Sequence, residues 1–294
     1  MVGKAQWPFR VATAVSTAVA FFIGLAPAMP EDIQPIETRL VSEWDALVPG
    51  ETAWIGLVQK MPPGFHTYWR NPGTVGLPTG IEWKLPDGFK AGPTHWPVPQ
   101  VTKMAVYDVW GYETNALLVI PVSVPDNLEP GSTHTLKADV QWMSCGDQCF
   151  PGFREMSITL PVRAQASKVS HGLSEQFDRT RSQQPGNPVL WDLKASLTDS
   201  DSSILIEAGW TGDPSSLPEL TQSSFFGFER IVSSAKGQTW TRSGNGFEIR
   251  AQREEFTPDV SERLRGILVM KDSWPGTDRP RSPTLLVDIP LTLK

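Results

Sequence analysis

The chain contains two cysteines, Cys145 and Cys149, four positions apart in the stretch WMSCGDQCFPGF (142–153). Sulfurs at this spacing could form a structural disulfide, exchange electrons as a dithiol–disulfide pair, or bind Cu(I) when reduced. Strand-like sequence flanks both cysteines, and a fully extended chain would separate their Cα atoms by about 13 Å. A disulfide tolerates about 7 Å at most. The sulfurs can therefore meet only if the chain bends at Gly146-Asp147, a dipeptide suited to a turn.

So short a ring would stabilise the fold little. By loop entropy, closing five residues contributes about 2 kcal/mol, against roughly 5 kcal/mol for a hundred-residue loop. This weakens a purely structural role without excluding it, and redox exchange stays open beside it. Asp147 would raise the thiol pKa values, and the nearest cation in sequence, Arg154, lies outside the ring. We expect such a pair to exchange with a better-activated partner cysteine.

Other chemistry has weaker support. A structural zinc site needs four N or S ligands, so the scattered histidines would have to converge with the cysteines; these are His66, His95, His134 and His171. Cu(I) bound by the Cys145 and Cys149 thiolates remains a metal alternative. No nucleophile elbow, HExxH motif or phosphate-binding glycine loop is present, and we expect no cofactor. A net charge of −6 without a basic run disfavours nucleic-acid binding.

Aromatic residues in two stretches could cover the disulfide or contact a partner protein. Tyr68 and Trp69 lie in HTYWRNPG (66–73), and Tyr107 and Tyr112 lie in YDVWGYE (107–113). Tyrosine combines an apolar ring with a polar tip, so these residues could cap the disulfide or contact a partner protein. The alternative is that they fill a β-sandwich core, with Asn-Pro-Gly as a turn or a tyrosine corner at Tyr112.

The N-terminal segment predicts export. Residues 1–28 combine a basic start, an apolar run from Val11 to Leu25 and the small-x-small sequence Ala26-Pro27-Ala28. This is the layout of a cleavable signal peptide, and the run is shorter than the ~20 residues that span a bilayer. An uncleaved anchor is the alternative. We expect a periplasmic protein, in a compartment where disulfides persist.

The rest of the chain reads as β-structure. The chain has 27 Pro and 24 Gly, which leave few uninterrupted stretches long enough for a helix. Short runs of β-branched or alternating apolar residues, typical of strands, end at turn-forming clusters. We predict an all-β protein with two immunoglobulin-like sandwiches, at 36–163 and 189–294, joined by a helix and linker at 164–188. The predicted strands are 52–59, 116–124, 134–143, 156–162, 202–210, 246–256, 265–272 and 284–293. Leu173 and Phe177, four apart in polar sequence, place the helix.

Several stretches in order carry a family resemblance. They are GFHTYWRNPGTVGLPTGIEWKLPDGF (64–89), HWPVPQ (95–100), WGYETNALLVIPV (110–122) and WMSCGDQCFPGF (142–153). Residues 36–163 resemble the N-terminal periplasmic domain of DsbD-type protein-disulfide reductases, in the branch that includes the copper-tolerance protein ScsB. FFGF (225–228) and RLRGILV (263–269) resemble the domain that follows in that branch.

The resemblance implies a function. Cys145 and Cys149 would be the catalytic pair of a protein-disulfide reductase, reduced by a thioredoxin-fold protein and reducing client disulfide proteins in turn. In the family a membrane electron-transfer domain feeds the thioredoxin-fold domain. The sequence shows no CxxC motif and no later membrane-spanning run, so we expect separate proteins to supply the electrons. The alternatives are a non-catalytic interaction module with a structural disulfide and a copper(I)-handling protein.

Overall fold

The computed structural model describes residues 35–198, 202–217, 219, 223–255, 262–271, 273–279 and 281–293. The predicted signal peptide, residues 1–28, lies outside the described residues. Across the described part of the chain, no helix is both long and apolar enough to cross a membrane.

The elements are almost all strands. Those before the helix are β1 (Glu37–Ser42), β2 (Thr52–Lys60), β3 (Thr67–Tyr68), β4 (Gly80–Lys84), β5 (Lys90–Ala91), β6 (Gln100–Met104), β7 (Tyr107–Tyr112), β8 (Asn115–Ser123), β9 (Thr133–Cys145) and β10 (Cys149–Pro161). After helix α1 (His171–Ser182) come β11 (Trp191–Thr198), β12 (Ser203–Trp210), β13 (Ser223–Gly227), β14 (Thr239–Ser243), β15 (Gly246–Gln252), β16 (Arg263–Met270) and β17 (Thr284–Leu293). The all-β prediction is confirmed.

The first sandwich is built from β1 to β10. One sheet has the order β1-β2-β8-β5, a second has β10-β9-β4, and a third, smaller sheet has β3-β7-β6. Alternate residues of the long strands point inward, as in β9, where Leu136, Ala138 and Val140 are fully buried. They pack with the inward residues of β2 and β8 to form the sandwich core.

Helix α1 covers the other face of the first sheet. This explains why β8 is buried on both faces, where alternation alone would leave one face polar. Phe177 is fully buried against Val41, Val58, Leu117 and Val119. Ser170 caps the helix by accepting a hydrogen bond from the Leu173 amide. The helix predicted from the four-residue spacing of Leu173 and Phe177 is confirmed.

The second sandwich is built from β11 to β17, in the order β13-β16-β17-β11-β12-β15-β14. Strand β17 joins its two parts: residues 284–290 pair antiparallel with β16, and residues 291–293 pair parallel with β11. Buried residues of both parts contribute to one core. That core continues into the first sandwich. The division of the chain into two domains joined at 164–188 therefore stays a prediction.

Candidate functional site

The two cysteines close the end of the longest hairpin. Strands β9 and β10 pair antiparallel along their whole length, and the final pair in the register is Cys145 opposite Cys149. The chain turns over Gly146, Asp147 and Gln148, with the Gly146 amide donating to the Gln148 carbonyl. The Cα atoms of the cysteines are 4.1 Å apart and the sulfurs form a disulfide. The bend predicted at Gly146-Asp147 is confirmed.

The two sulfurs differ in access. Cys145 is fully buried, with 0% of its surface exposed, whereas Cys149 is exposed together with Asp147 and Gln148. An attacking thiolate must approach the S–S bond from outside. Of the two cysteines, Cys149 is therefore the accessible residue.

The segment that leads into β3 holds Cys145 from the other side. His66 and Cys145 exchange two backbone hydrogen bonds, of 2.9 and 3.0 Å. The Phe65 ring lies 6.1 Å from the Phe150 ring, and Gly146 packs closely on the Gly64 carbonyl and Phe65. The buried sulfur is thus fixed by backbone pairing on both sides, while the turn beyond it faces solvent.

Tyr68 contacts the disulfide directly. Its hydroxyl donates a hydrogen bond to Cys145 Sγ at 3.1 Å, and the side chain is only 1% exposed. Burial disfavours the tyrosinate and raises the pKa of Tyr68 to about 12. The hydroxyl therefore keeps its proton, and remains a donor, at any pH at which disulfide exchange takes place.

His66 lies beside Tyr68 on the same face. The ring centroids are 5.1 Å apart in an edge-on arrangement. Burial lowers the pKa of His66, with an opposing contribution from Glu113. Its Nε2 atom is buried and has no hydrogen-bond partner among the residues that the structure describes. His66 is thus a neutral ring at neutral pH, packed edge-on to Tyr68.

The other aromatic candidates lie elsewhere. Trp69 is buried against Trp110 and Phe226, between the two sandwiches. Tyr112 is buried, and its hydroxyl donates to the Pro97 carbonyl at 2.8 Å. Tyr107 is 42% exposed next to the tip of the β6–β7 hairpin. Of the four residues, Tyr68 is thus placed on a sulfur, and the roles of the other three as a cap stay predictions.

The β6–β7 hairpin flanks the site. Met104 packs on the cluster formed by Tyr68, Val109 and Cys145. At the tip, Ala105 has a positive φ of 53°, and Val106 is 83% exposed. A groove of about 470 Å³ lies between β6 of this hairpin and the segment of Phe65 and His66. One of the residues that line this groove is His66, whose backbone pairs with Cys145.

Metal ligands are not assembled here. Within the described ranges, no group of three or more His, Cys, Asp or Glu side chains could hold a metal ion. Of the histidines, His66 is the one that the structure places beside Cys145. Copper(I) binding by the two freed thiolates remains a prediction about the reduced protein.

The stretch HTYWRNPG (66–73) brings His66 and Tyr68 together in the sequence as a possible surface beside the cysteines, and residues two apart on a strand share a face. Met104, by contrast, reaches Cys145 through a hairpin whose pairing has no local signal: its two-residue loop, Ala105-Val106, lacks the Gly or Asn that usually marks such a turn.

Comparison with known proteins agrees with this site. Residues 37–161 match the family described as "Thiol:disulfide interchange protein DsbD, N-terminal". The chain is similar to the N-terminal periplasmic domain of ScsB from Proteus mirabilis, with 16% identity, a TM-score of 0.58, and coverage of 90% of this chain and 96% of that one. It also matches the reduced Neisseria meningitidis DsbD N-terminal domain, with 10% identity, a TM-score of 0.30, and coverage of 46% and 90%. Comparison with curated proteins finds no match.

The family match covers the strands that build the site. It runs from the start of β1 to the end of β10 and includes both cysteines and Tyr68. Residues 37–161 are therefore a DsbD-type N-terminal domain, and the likeness to the ScsB domain confirms the fold. The predicted family resemblance is confirmed.

Proposed function

We propose that the protein performs thiol–disulfide exchange through Cys145 and Cys149, relaying reducing equivalents from a thioredoxin-fold donor to client proteins. One observation carries the proposal: the disulfide joins the exposed residue Cys149 to the buried residue Cys145, whose sulfur accepts a hydrogen bond from Tyr68. A disulfide built only to stabilise the fold has no need of such asymmetry. The match of residues 37–161 to thiol:disulfide interchange proteins supports the same chemistry.

Reduction begins at Cys149. A donor thiolate attacks Cys149 Sγ, an S–S bond forms between donor and Cys149, and the Cys145–Cys149 bond breaks. Cys145 leaves as a thiolate that accepts the hydrogen bond of the Tyr68 hydroxyl. Because a hydrogen bond to a charged acceptor is stronger than one to a neutral acceptor, this contact stabilises the thiolate and favours cleavage of the S–S bond. The donor's second thiolate then attacks its own sulfur in the mixed disulfide and releases the Cys149 thiolate. Two electrons have reached the pair.

Oxidation by a client reverses the roles. The Cys149 thiolate attacks a client disulfide, forming a mixed disulfide and releasing one client thiolate. Cys145 then attacks Cys149 Sγ, re-forms the internal disulfide and releases the second client thiolate. Cys145 needs no access to solvent for this step because its target is Cys149, 4.1 Å away between Cα atoms.

The partners follow from this chemistry. The donor is a thioredoxin-fold protein with a better-activated cysteine, since no cation lies inside the cysteine ring to activate the pair. A membrane electron-transfer protein supplies that donor. The compartment is the periplasm, where the ScsB domain of the same fold is found. The protein is thus a protein-disulfide reductase that depends on partners for its electrons.

Single-cysteine variants test the proposal. Cys145→Ala leaves the exposed thiol without its resolving partner. A thioredoxin with one active-site cysteine, activated beforehand as a mixed disulfide with thionitrobenzoate, should therefore be attacked by Cys149, release thionitrobenzoate and accumulate as a mixed disulfide, seen by non-reducing electrophoresis. The matched Cys149→Ala variant keeps the buried thiol and should trap far less. Equal trapping by both variants would contradict the assignment of Cys149, and trapping by neither would contradict exchange itself.

A further inference from the structure

The loop after Tyr68 is anchored to the second sandwich. We call residues 69–76 the bridging loop. Asn71 is 4% exposed, and its Nδ2 donates to the backbone carbonyls of Gly227 and Glu229 at 2.8 and 2.9 Å. Its Oδ1 accepts from the Gly73 amide at 3.1 Å. Both donors of the amide thus bind the second sandwich, and its oxygen shapes the loop.

Two further anchors follow along the loop. The Thr74 amide donates to Ser234 Oγ at 2.9 Å, and the Thr74 hydroxyl donates to Glu254 at 2.7 Å. The Gly76 carbonyl accepts from Arg230 Nη2 at 2.9 Å. The loop is therefore bonded to the second sandwich at its start, middle and end.

The far end of the loop returns to Tyr68. Gly76 has a φ of 109°, and a Cβ atom there would lie 2.3 Å from Tyr68 Cε1. Only glycine lets the backbone lie this close to the ring in this conformation. The Tyr68 ring is thus held between the bridging loop and the disulfide, with its hydroxyl 3.1 Å from Cys145 Sγ.

We propose that Asn71 is a positioning residue for the disulfide: it holds the bridging loop on the second sandwich and so fixes the Tyr68 hydroxyl on the Cys145 sulfur. The inference rests on the proposed function and deepens it. The second sandwich would act on the Cys145–Cys149 disulfide indirectly, by holding the bridging loop that positions Tyr68. A hydrogen bond weakens steeply when its geometry loosens. Freeing the loop should therefore destabilise the Cys145 thiolate and with it the reduced state.

The test is the equilibrium constant between the protein disulfide and dithiothreitol, measured at a pH where thiolates form. Asn71→Ala should shift it towards the protein disulfide by about fivefold, as expected for loss of one hydrogen bond. Asn245→Ala is the matched control, because Asn245 donates to the Trp210 carbonyl within the second sandwich and does not touch the loop. It should leave the constant unchanged.

A double mutant separates positioning from general loosening. In a Tyr68→Phe background, Asn71→Ala should change the constant by less than about twofold, because both changes remove the same interaction. Ser234→Ala, which removes the acceptor of the Thr74 amide and a hydrogen bond to the Asp108 carbonyl, should act like Asn71→Ala and serves if that variant folds poorly. An unchanged constant in folded Asn71→Ala or Ser234→Ala, or a full effect that persists without the Tyr68 hydroxyl, would overturn the inference.

The equilibrium constant with dithiothreitol can be measured whether the disulfide is structural or takes part in exchange. If the proposed function is wrong, the constant of the unaltered protein will show a disulfide too stable for physiological thiols to reduce. Failure of the inference would appear only in the ratio between variants. The two outcomes are therefore distinguishable.

Discussion

The hydrogen bond from Tyr68 to Cys145 gives the two sulfurs different roles in the proposed exchange. Cys149 meets solvent, whereas Cys145 is buried with one hydroxyl donor 3.1 Å from its sulfur. The hydrogen bond from Tyr68 strengthens when Cys145 becomes a thiolate, because hydrogen bonds to charged acceptors are stronger than those to neutral ones. The contact therefore favours the reduced state.

Replacing Tyr68 by Phe should make the pair more reducing. Loss of about 1 kcal/mol of stabilisation of the reduced state corresponds to a potential roughly 20 mV more negative. Tyr112→Phe is the matched control, since it removes a buried hydroxyl that bonds the Pro97 carbonyl. We expect that variant to lose stability but keep its potential. Equal potentials for the Tyr68 variant and the unaltered protein, from equilibration in glutathione buffers, would argue against the contact.

His66 should make stability depend on pH. Burial lowers its pKa in the folded protein, so below about pH 6.5 the unfolded chain binds more protons than the folded one. The free energy of unfolding should therefore fall as pH drops through this range, and His66→Gln should flatten the dependence. His171→Gln, at an exposed position, is the control. Denaturant titrations at several pH values measure the slope, and an unchanged slope in His66→Gln would refute the assignment.

Among the elements, the β9–β10 hairpin was predictable in part. Gly146-Asp147 located the turn, but the predicted strand 156–162 left out the first part of β10, which includes Pro151 and Gly152. The structure shows why both fit: β10 is an edge strand of its sheet, where proline is tolerated. The Trp142 ring covers Gly152, so that a Cβ atom there would lie 2.2 Å from it. Sequence alone shows neither the edge position nor the cross-strand ring.

Helix α1 stabilises the first sandwich without touching the disulfide. Phe177→Ala should cost about 3–5 kcal/mol in unfolding free energy, because the ring is fully buried under β8. The reduction potential should stay the same. Gly172→Ala, in open space on the same helix, should be neutral or stabilising by up to ~1 kcal/mol. A shifted potential in Phe177→Ala would show that the helix is coupled to the site.

At the scale of the whole molecule, one hydrophobic core runs through both sandwiches. Trp69 and Trp110 from the first pack on Phe226 from the second, with ring centroids 6.0 and 5.3 Å away. The sequence indicated the strands that carry these residues in part, but long-range contacts between residues 69 and 226 have no local signature. The sequence therefore predicts two domains, which stays a prediction, and gives no sign of the contact between residues 69 and 226.

The shared core predicts cooperative unfolding. Phe226→Ala should destabilise the protein by about 3–5 kcal/mol and should shift the unfolding of both sandwiches together. Tryptophan fluorescence and far-ultraviolet circular dichroism should report one coincident transition. Two separate transitions, with only the second sandwich shifted by the mutation, would show that the sandwiches unfold independently.

The reduction potential of the Cys145–Cys149 pair tests the central claim most directly. It is obtained by equilibrating the intact protein in glutathione buffers and counting free thiols. An exchanging pair should have a potential above about −300 mV, in the range of periplasmic and glutathione-linked oxidoreductases. A value well below that would mark a bond that no physiological thiol opens, and would contradict the relay.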